Sequence, residues 1–260
     1  MMPPKPHYTK SRRLEWIRRM TLVIGARCSD GLIFCADREE TTELGGKRSV
    51  SKLYDASGDG WSMAIGTSGS GPISEIAVNR IIKEAQSTVG FVDQCEQIIS
   101  GVLRGVYEQY LWPPIPADLR SQRGISLVIG IRNRNNSEKR IYKSYEEIVK
   151  PEDHYSCAGL GQDLGYYFLD RLFGGSIDDP QLTVGECEQF LGFIMKEAKE
   201  SVGYVGRETE TVVLWDDTGF HGRGFMTDKV DTSPHLLHIL RQFWRNKPTP
   251  SASQTSEPEP

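Results

Sequence analysis

Within the first 66 residues, four groups able to take part in chemistry stand at the ends of expected strands. The runs Thr21-Leu-Val-Ile-Gly-Ala-Arg-Cys28 and Leu32-Ile-Phe-Cys-Ala36 are β-prone, and Ser29-Asp30-Gly31 between them contains an Asp-Gly pair that favours a tight hairpin turn. A hairpin returns the end of its second strand to the start of its first, so Thr21 and Asp37 share one open end. A second hairpin, Lys52-Leu-Tyr-Asp55 and Trp61-Ser-Met-Ala-Ile-Gly66 around the turn-rich Ala56-Ser-Gly-Asp-Gly60, does the same for Lys52 and Gly66. A hydroxyl, a carboxylate, an ammonium and a flexible backbone amide each end a strand. Nucleophilic and proton-transfer chemistry draws on such groups. Pattern alone leaves open whether the two open ends adjoin.

Other reactive residue types are scattered. The five cysteines, Cys28, Cys35, Cys95, Cys157 and Cys187, are odd in number and form no C-x-x-C pair, which fits neither a disulfide framework nor a zinc ribbon and points to a reducing cytoplasm. Cys35 has no identifiable histidine partner. Of the histidines only His235 and His238 are close, at i, i+3, a spacing that more often means helix surface than metal, so no metal site and no cofactor are expected.

The elements that must position these groups follow from periodicity. Pro72 to about Thr88 and Val92 to Tyr110 carry helical stripes, the first with a proline suited to its first turn, and Trp112-Pro-Pro-Ile-Pro-Ala ends the second. Gly124–Ile131, Lys139–Tyr145 and Tyr155–Ala158 read as strands, Gln162–Phe173 and Val184 to about Val202 as helices, and Glu208–Trp215 as a strand. A last helix is expected over Pro234–Trp244, before a Pro/Ser-rich tail, 248–260, that lacks the apolar anchors needed to order it. Strands and helices come in blocks rather than in alternation. That order suggests an α+β protein with antiparallel sheets faced by pairs of helices, rather than a doubly wound parallel sheet. No internal repeat or Gly-rich phosphate loop appears.

Composition narrows the partners. The chain has 260 residues, enough for a large core, with 38% apolar and 25% charged residues, the balance of a globular protein. Lys and Arg total 31 against 35 Asp and Glu, and this net charge of −4 argues against nucleic acid as the main partner. A membrane-spanning helix needs roughly 20 apolar residues, whereas Phe190–Met195, among the most apolar stretches, has six. Residues 1–20 hold six basic residues and three prolines without a secretory apolar core, and read as a leader or propeptide-like segment.

Thr21-Leu-Val-Ile-Gly-Ala, Leu32-Ile-Phe-Cys-Ala-Asp37-Arg-Glu, Ser51-Lys52-Leu-Tyr-Asp and Met63-Ala-Ile-Gly66 together resemble the start of a proteasome β-type subunit, a family shared with the bacterial ring peptidase that works with a separate ATPase. The likeness spans roughly residues 21–227. It implies an N-terminal-nucleophile hydrolase with a four-layer αββα sandwich of two antiparallel sheets over residues 21–247: a threonine-type peptidase in a homo-oligomeric ring, cleaving polypeptide, with α-type subunits or an ATPase regulator as companions. Thr21 would be the nucleophile, its own α-amine, which ordinarily titrates at about 7.7–8.0, taking the hydroxyl proton. Lys52 would lower that amine's pKa and orient the hydroxyl, and Asp37 would fix Lys52. Gly66 would offer its N–H to the oxyanion, and Thr41 and Ser68 would bind the peptide as an added strand.

The chain also departs from that pattern. Leu160, within Gly159-Leu160-Gly161, replaces the family's supporting serine, and Val202-Gly-Tyr-Val205-Gly206 lacks the usual acid and serine. Asp37 and Lys52 are one residue closer than is common, and Glu39 stands where an arginine is frequent. Met20, rather than glycine, precedes Thr21, so translation from Met20 and ordinary methionine removal is an alternative route to a free Thr21. Two further readings follow: a catalytically inactive structural or assembly subunit, and a small-molecule amidase with the same nucleophile chemistry.

Overall fold

The computed structural model describes residues 21–41, 46–112, 124–173, 182–202, 205–216 and 221–226. In chain order the elements are β1 (Val23–Cys28), β2 (Gly31–Asp37), β3 (Glu39–Thr41), β4 (Lys47–Ser49), β5 (Leu53–Gly58), β6 (Trp61–Gly69), α1 (Gly71–Ser87), α2 (Phe91–Tyr110), β7 (Ile125–Asn133), β8 (Lys139–Tyr145), β9 (Ile148–Glu152), β10 (Tyr155–Ala158), α3 (Gln162–Phe173), α4 (Val184–Ser201), β11 (Thr209–Trp215) and β12 (His221–Met226). One five-stranded sheet runs β10-β1-β2-β11-β12 and the other β5-β6-β7-β8-β9, while β3 and β4 form a separate ribbon. Every pairing is antiparallel.

Strand periodicity builds the layers. On β2, Ile33 and Cys35 face a core completed by Phe190, Leu191, Ile194 and Met195 of α4, whereas Leu32, Phe34 and Ala36 face the opposite way. There they meet Leu53, Ala64, Val128 and Ile141 of the second sheet, so the two sheets pack face to face. The far side of the second sheet, with Met63, Ile65 and Ile129, is covered by Ile81 of α1 and Ile99 and Leu103 of α2. The result is the expected αββα sandwich. Both faces of each central strand are buried, which is why β1 and β2 read as nearly unbroken apolar runs. Phe34 fills the middle of the inter-sheet layer because Gly25 and Gly130 have no Cβ; one added at either would come within 2.5 Å of its ring.

Two elements escape the sequence pattern. The β3–β4 ribbon contains no apolar residue, and β9 holds one buried residue, Val149, so neither shows a strand's alternation. At the start of α4, Thr183 and Glu186 form a reciprocal capping box. The leader 1–20, the helix expected over Pro234–Trp244, with His235 and His238, and the tail 248–260 lie outside the described residues.

Candidate active site

The first hairpin forms as expected but turns at Ser29-Asp30, with Gly31 already in β2: Val23 stands opposite Ala36 and Cys28 opposite Gly31, which sets Leu22, one residue on from the expected Thr21, beside Asp37. The Asp37 N–H donates to the Leu22 carbonyl at 3.3 Å, and the Leu22 N–H donates to Asp37 Oδ1 at 2.9 Å. That double tie places the Thr21 hydroxyl where it donates to the same Oδ1. Asp37 is wholly buried. Its Oδ2 accepts the Glu39 N–H at 3.2 Å and the Gly206 N–H at 3.5 Å, so the carboxylate lies in a ring of backbone donors.

Face-to-face packing of the sheets brings the second open end to the first. Lys52, 8% exposed, donates from Nζ to Thr21 Oγ1, to Asp37 Oδ2 at 3.0 Å and to the Glu39 carbonyl at 2.7 Å. All three ammonium protons have partners. Burial pushes the Lys52 pKa down, against the opposing pull of Asp37. The Thr21 hydroxyl thus sits between a donor ammonium and an acceptor carboxylate, in a pocket that admits little water.

A glycine loop completes the seat. Gly159 has φ +98°, and a Cβ there would strike the Thr21 carbonyl; Gly161 donates its N–H to that carbonyl at 3.3 Å. Between them, Leu160 lines a cleft of about 890 Å³ together with Ser68, Ser126, Lys143 and Gln162. Where the resemblance called for polar neighbours, Val205 is 4% exposed and packs into the core beneath α4. The Glu39 carboxylate turns to Lys47 at 2.6 Å.

The remaining expected residues fall elsewhere. Thr67 donates its N–H to the Lys52 carbonyl at 2.9 Å, and Ser70 donates to the Gly124 carbonyl at 3.4 Å on the other side of the strand. Successive N–H groups of a strand alternate in direction, so the Gly66 N–H faces β7, opposite Val128. It lies in the ladder rather than pointing at Thr21. Its own lack of a side chain serves packing, since a Cβ would collide with Val23. Ser68 lies on β6 opposite Ser126, at the cleft, and Thr41 ends β3 opposite Lys47.

Sequence reasoning missed Glu210, 2% exposed on β11. Its Oε1 accepts the N–H groups of Lys52 and, at 3.0 Å, Leu53, while Oε2 accepts from Ser51 Oγ at 2.9 Å and faces Arg223 Nη2 at 3.5 Å. A lone acid between threonines in an otherwise apolar strand was the available signal. The cysteines offer no rival nucleophile: all five are free and buried, and burial pushes the Cys35 and Cys157 thiols up, away from the reactive thiolate.

The fold is thus an αββα sandwich in which a strand-end threonine, carboxylate and lysine meet. Among solved structures the chain is similar to Anbu, an ancestral beta-subunit, from Yersinia bercovieri, with a TM-score of 0.65 and 14% identity over 88% of this chain and 98% of that one. It is likewise similar to the Gly-1 mutant of Anbu from Hyphomicrobium sp. strain MC1, with a TM-score of 0.64 and 14% identity over 86% and 98%. A third similar structure is the helical assembly of the Anbu complex from Pseudomonas aeruginosa, with a TM-score of 0.64 and 14% identity over 90% and 99%. No family model and no curated protein matches the chain.

These findings correct the resemblance to proteasome β-type subunits. The structural neighbours are Anbu proteins, a distinct proteasome-related family, and neither a family model nor a curated protein supports a place among proteasome β subunits. The resembling segments encode two hairpins and their strand-end residues. Those are features of the sandwich, and they do not separate one family that uses it from another.

Proposed function

We propose that this chain is an N-terminal-nucleophile hydrolase that cleaves amide bonds in polypeptides with the Thr21 hydroxyl, after residues 1–20 are lost or translation begins at Met20. The observation that carries this reading is the Thr21 hydroxyl held between the Asp37 carboxylate and the Lys52 ammonium. With Thr21 first in the chain, its neutral α-amine takes the hydroxyl proton while Oγ1 attacks the carbonyl carbon. The C–N bond then breaks, the leaving amine takes that proton, and an ester to Thr21 remains. Water hydrolyses the ester, with the α-amine again accepting a proton. The Lys52 ammonium favours the unprotonated amine and stabilises charge developing at Oγ1. Two features support association of identical chains and a reducing compartment as the setting: the likeness to Anbu, solved elsewhere as a helical assembly, and five unpaired buried cysteines.

A silent assembly subunit is the second reading, favoured by Leu160 and Val205 near the nucleophile and by the Gly66 N–H facing the ladder. Intact mass of natively expressed protein, before and after incubation with a peptide epoxyketone, separates the two. Such a probe bonds both the hydroxyl and the free amine of an N-terminal threonine. A chain beginning at Thr21 with a stoichiometric adduct supports the hydrolase. A chain retaining residues 1–20 and taking no adduct overturns it in favour of the silent subunit.

A further inference from the structure

The cleft beside Leu160 contains a buried cation that has no buried anion beside it among the described residues. Lys143, on β8, is 7% exposed, and its Nζ donates to Gln162 Oε1 at 3.3 Å and Tyr166 Oη at 3.1 Å. The Tyr145 and Tyr166 rings lie 5.3 and 5.0 Å from the same nitrogen. Among the described residues every one of these partners is neutral; Glu146 lines the same cleft, but no carboxylate pairs with Lys143 within ion-pair distance. Taking an ammonium out of water is costly unless an opposite charge compensates, so this arrangement favours an anion brought in from outside. The two tyrosine faces add attraction for the cation but supply no charge.

Position ties the lysine to Thr21. Across the second sheet Gly66 stands opposite Val128, and Val128 stands opposite Lys143. With strands about 4.8 Å apart, the Lys143 backbone is roughly 10 Å from that of Gly66. Gln162, which accepts from Lys143, directly follows the Gly159-Leu160-Gly161 loop that seats the Thr21 carbonyl. A ligand lying in the cleft from Ser68 to Gln162 passes both the nucleophile's loop and this ammonium.

We infer that Lys143 is a specificity-determining residue that binds a carboxylate of the substrate, so that the cleft selects acidic peptides. The inference rests on the proposed peptide hydrolysis for its setting, but its test is a binding measurement that needs no turnover. The carboxylate has two sources in a peptide, a Glu or Asp side chain or a free C-terminus. Thr21→Ala protein is titrated with three fluorescent peptides of one length: a C-terminally amidated peptide with a central Glu, its Gln counterpart, and the Gln peptide with a free carboxyl terminus.

A charge-assisted hydrogen bond in a desolvated cleft corresponds to about ten- to a hundredfold in affinity. The Glu peptide, or the free-terminus peptide if the terminal carboxylate is the one read, is expected to bind tighter than the neutral peptide by that factor. The preference should disappear in Thr21→Ala/Lys143→Met and survive in part in Thr21→Ala/Lys143→Arg. Equal affinity for all three peptides, no binding of any, or a preference unchanged by Lys143→Met overturns the inference. If the Met variant does not fold, the comparison of peptides on Thr21→Ala alone, with Lys143→Gln as the replacement, still decides. Failure of the hydrolase reading shows separately, as absence of the epoxyketone adduct in the parent chain.

Discussion

The carboxylate of Glu210 accepts the main-chain N–H of Lys52, 158 residues away in sequence, and in doing so fixes the start of β5 against β11. The same carboxylate is held from outside by Ser51 and by Arg223, whose Nη2 also donates to the Leu53 carbonyl at 2.8 Å. Glu210 touches no reacting atom, so it is a positioning residue. Its orientation of the Lys52 backbone decides where Nζ emerges between Thr21 and Asp37.

Glu210→Gln keeps the shape but presents one acceptor oxygen and an NH2 to a site that supplies only donors. Loss of a buried charge-assisted bond costs about 1.5–3 kcal/mol, and the amide's own protons add repulsion. Epoxyketone labelling should slow with its concentration dependence unchanged, while chemical denaturation reports a lower midpoint. A destabilised variant that labels at the parental rate would show that Glu210 serves the fold alone.

Thr21→Ala is expected to abolish the adduct and to leave folding nearly intact, because the variant loses one hydroxyl but keeps the backbone ties of residues 21 and 22. Asp37 then loses one of several donors. Persistence of a one-to-one adduct, read by peptide mapping, would move the nucleophile elsewhere.

Lys52 sets a pH dependence whose sign follows from burial. Its folded pKa lies below that of the unfolded chain, so the unfolded chain binds the proton more tightly. Below the folded value both states are protonated and the fold bears the full mismatch. As pH rises from the folded value to the ordinary lysine value, the folded chain releases its proton first and gains stability. Lys52→Met removes this increment, so the parent's stability should rise more steeply than the variant's in that alkaline window, as read by denaturant titration at several pH values. Labelling of the parent should fall over the same window as the ammonium disappears.

Gly159→Ala tests the seat of the nucleophile. The left-handed backbone disfavours any Cβ, and this one meets the Thr21 carbonyl, a backbone atom that cannot swing aside. A cost of about 1–3 kcal/mol is expected, together with loss of labelling. Gly185→Ala, an exposed helical position with nothing within 4 Å of an added Cβ, is the matched control and should leave labelling unchanged while stabilising α4 slightly.

Residues 21–41 show how far sequence reasoning reaches. The nearness of Thr21 to Asp37 was legible because a two-strand hairpin is local: a turn signal between two apolar runs returns the second strand to the start of the first, although the turn falls at Ser29-Asp30 and sets Leu22 beside Asp37. The helices α1 to α4 were legible for the same reason, each having an apolar stripe within its own length. The β3–β4 ribbon and β9 were not, because short strands with few apolar residues give no period to read.

Tertiary structure decided everything that joins the two sheets. Lys52 reaches Thr21 only because Val23, Leu53 and Val128 pack the sheets together at this end, a long-range outcome of apolar burial. The Gly66 N–H faces β7 through ladder parity, a matter of which neighbour each strand acquires, and this is why a glycine at the expected position does not by itself make an oxyanion donor. Glu210 and Lys143 read in isolation as ordinary strand charges. Packing, by burying one against backbone N–H groups and the other among neutral partners, determines that the first holds the lysine of the site and that the second has no anionic partner among the described residues. Sequence by itself thus determined the hairpins, the helices and the strand-end chemistry, each specified within a few dozen residues. The assembled site belongs to contacts between separate hairpins, from Thr21 with Lys52, 31 residues apart, to Lys52 with Glu210, 158 apart, which only the folded chain brings together.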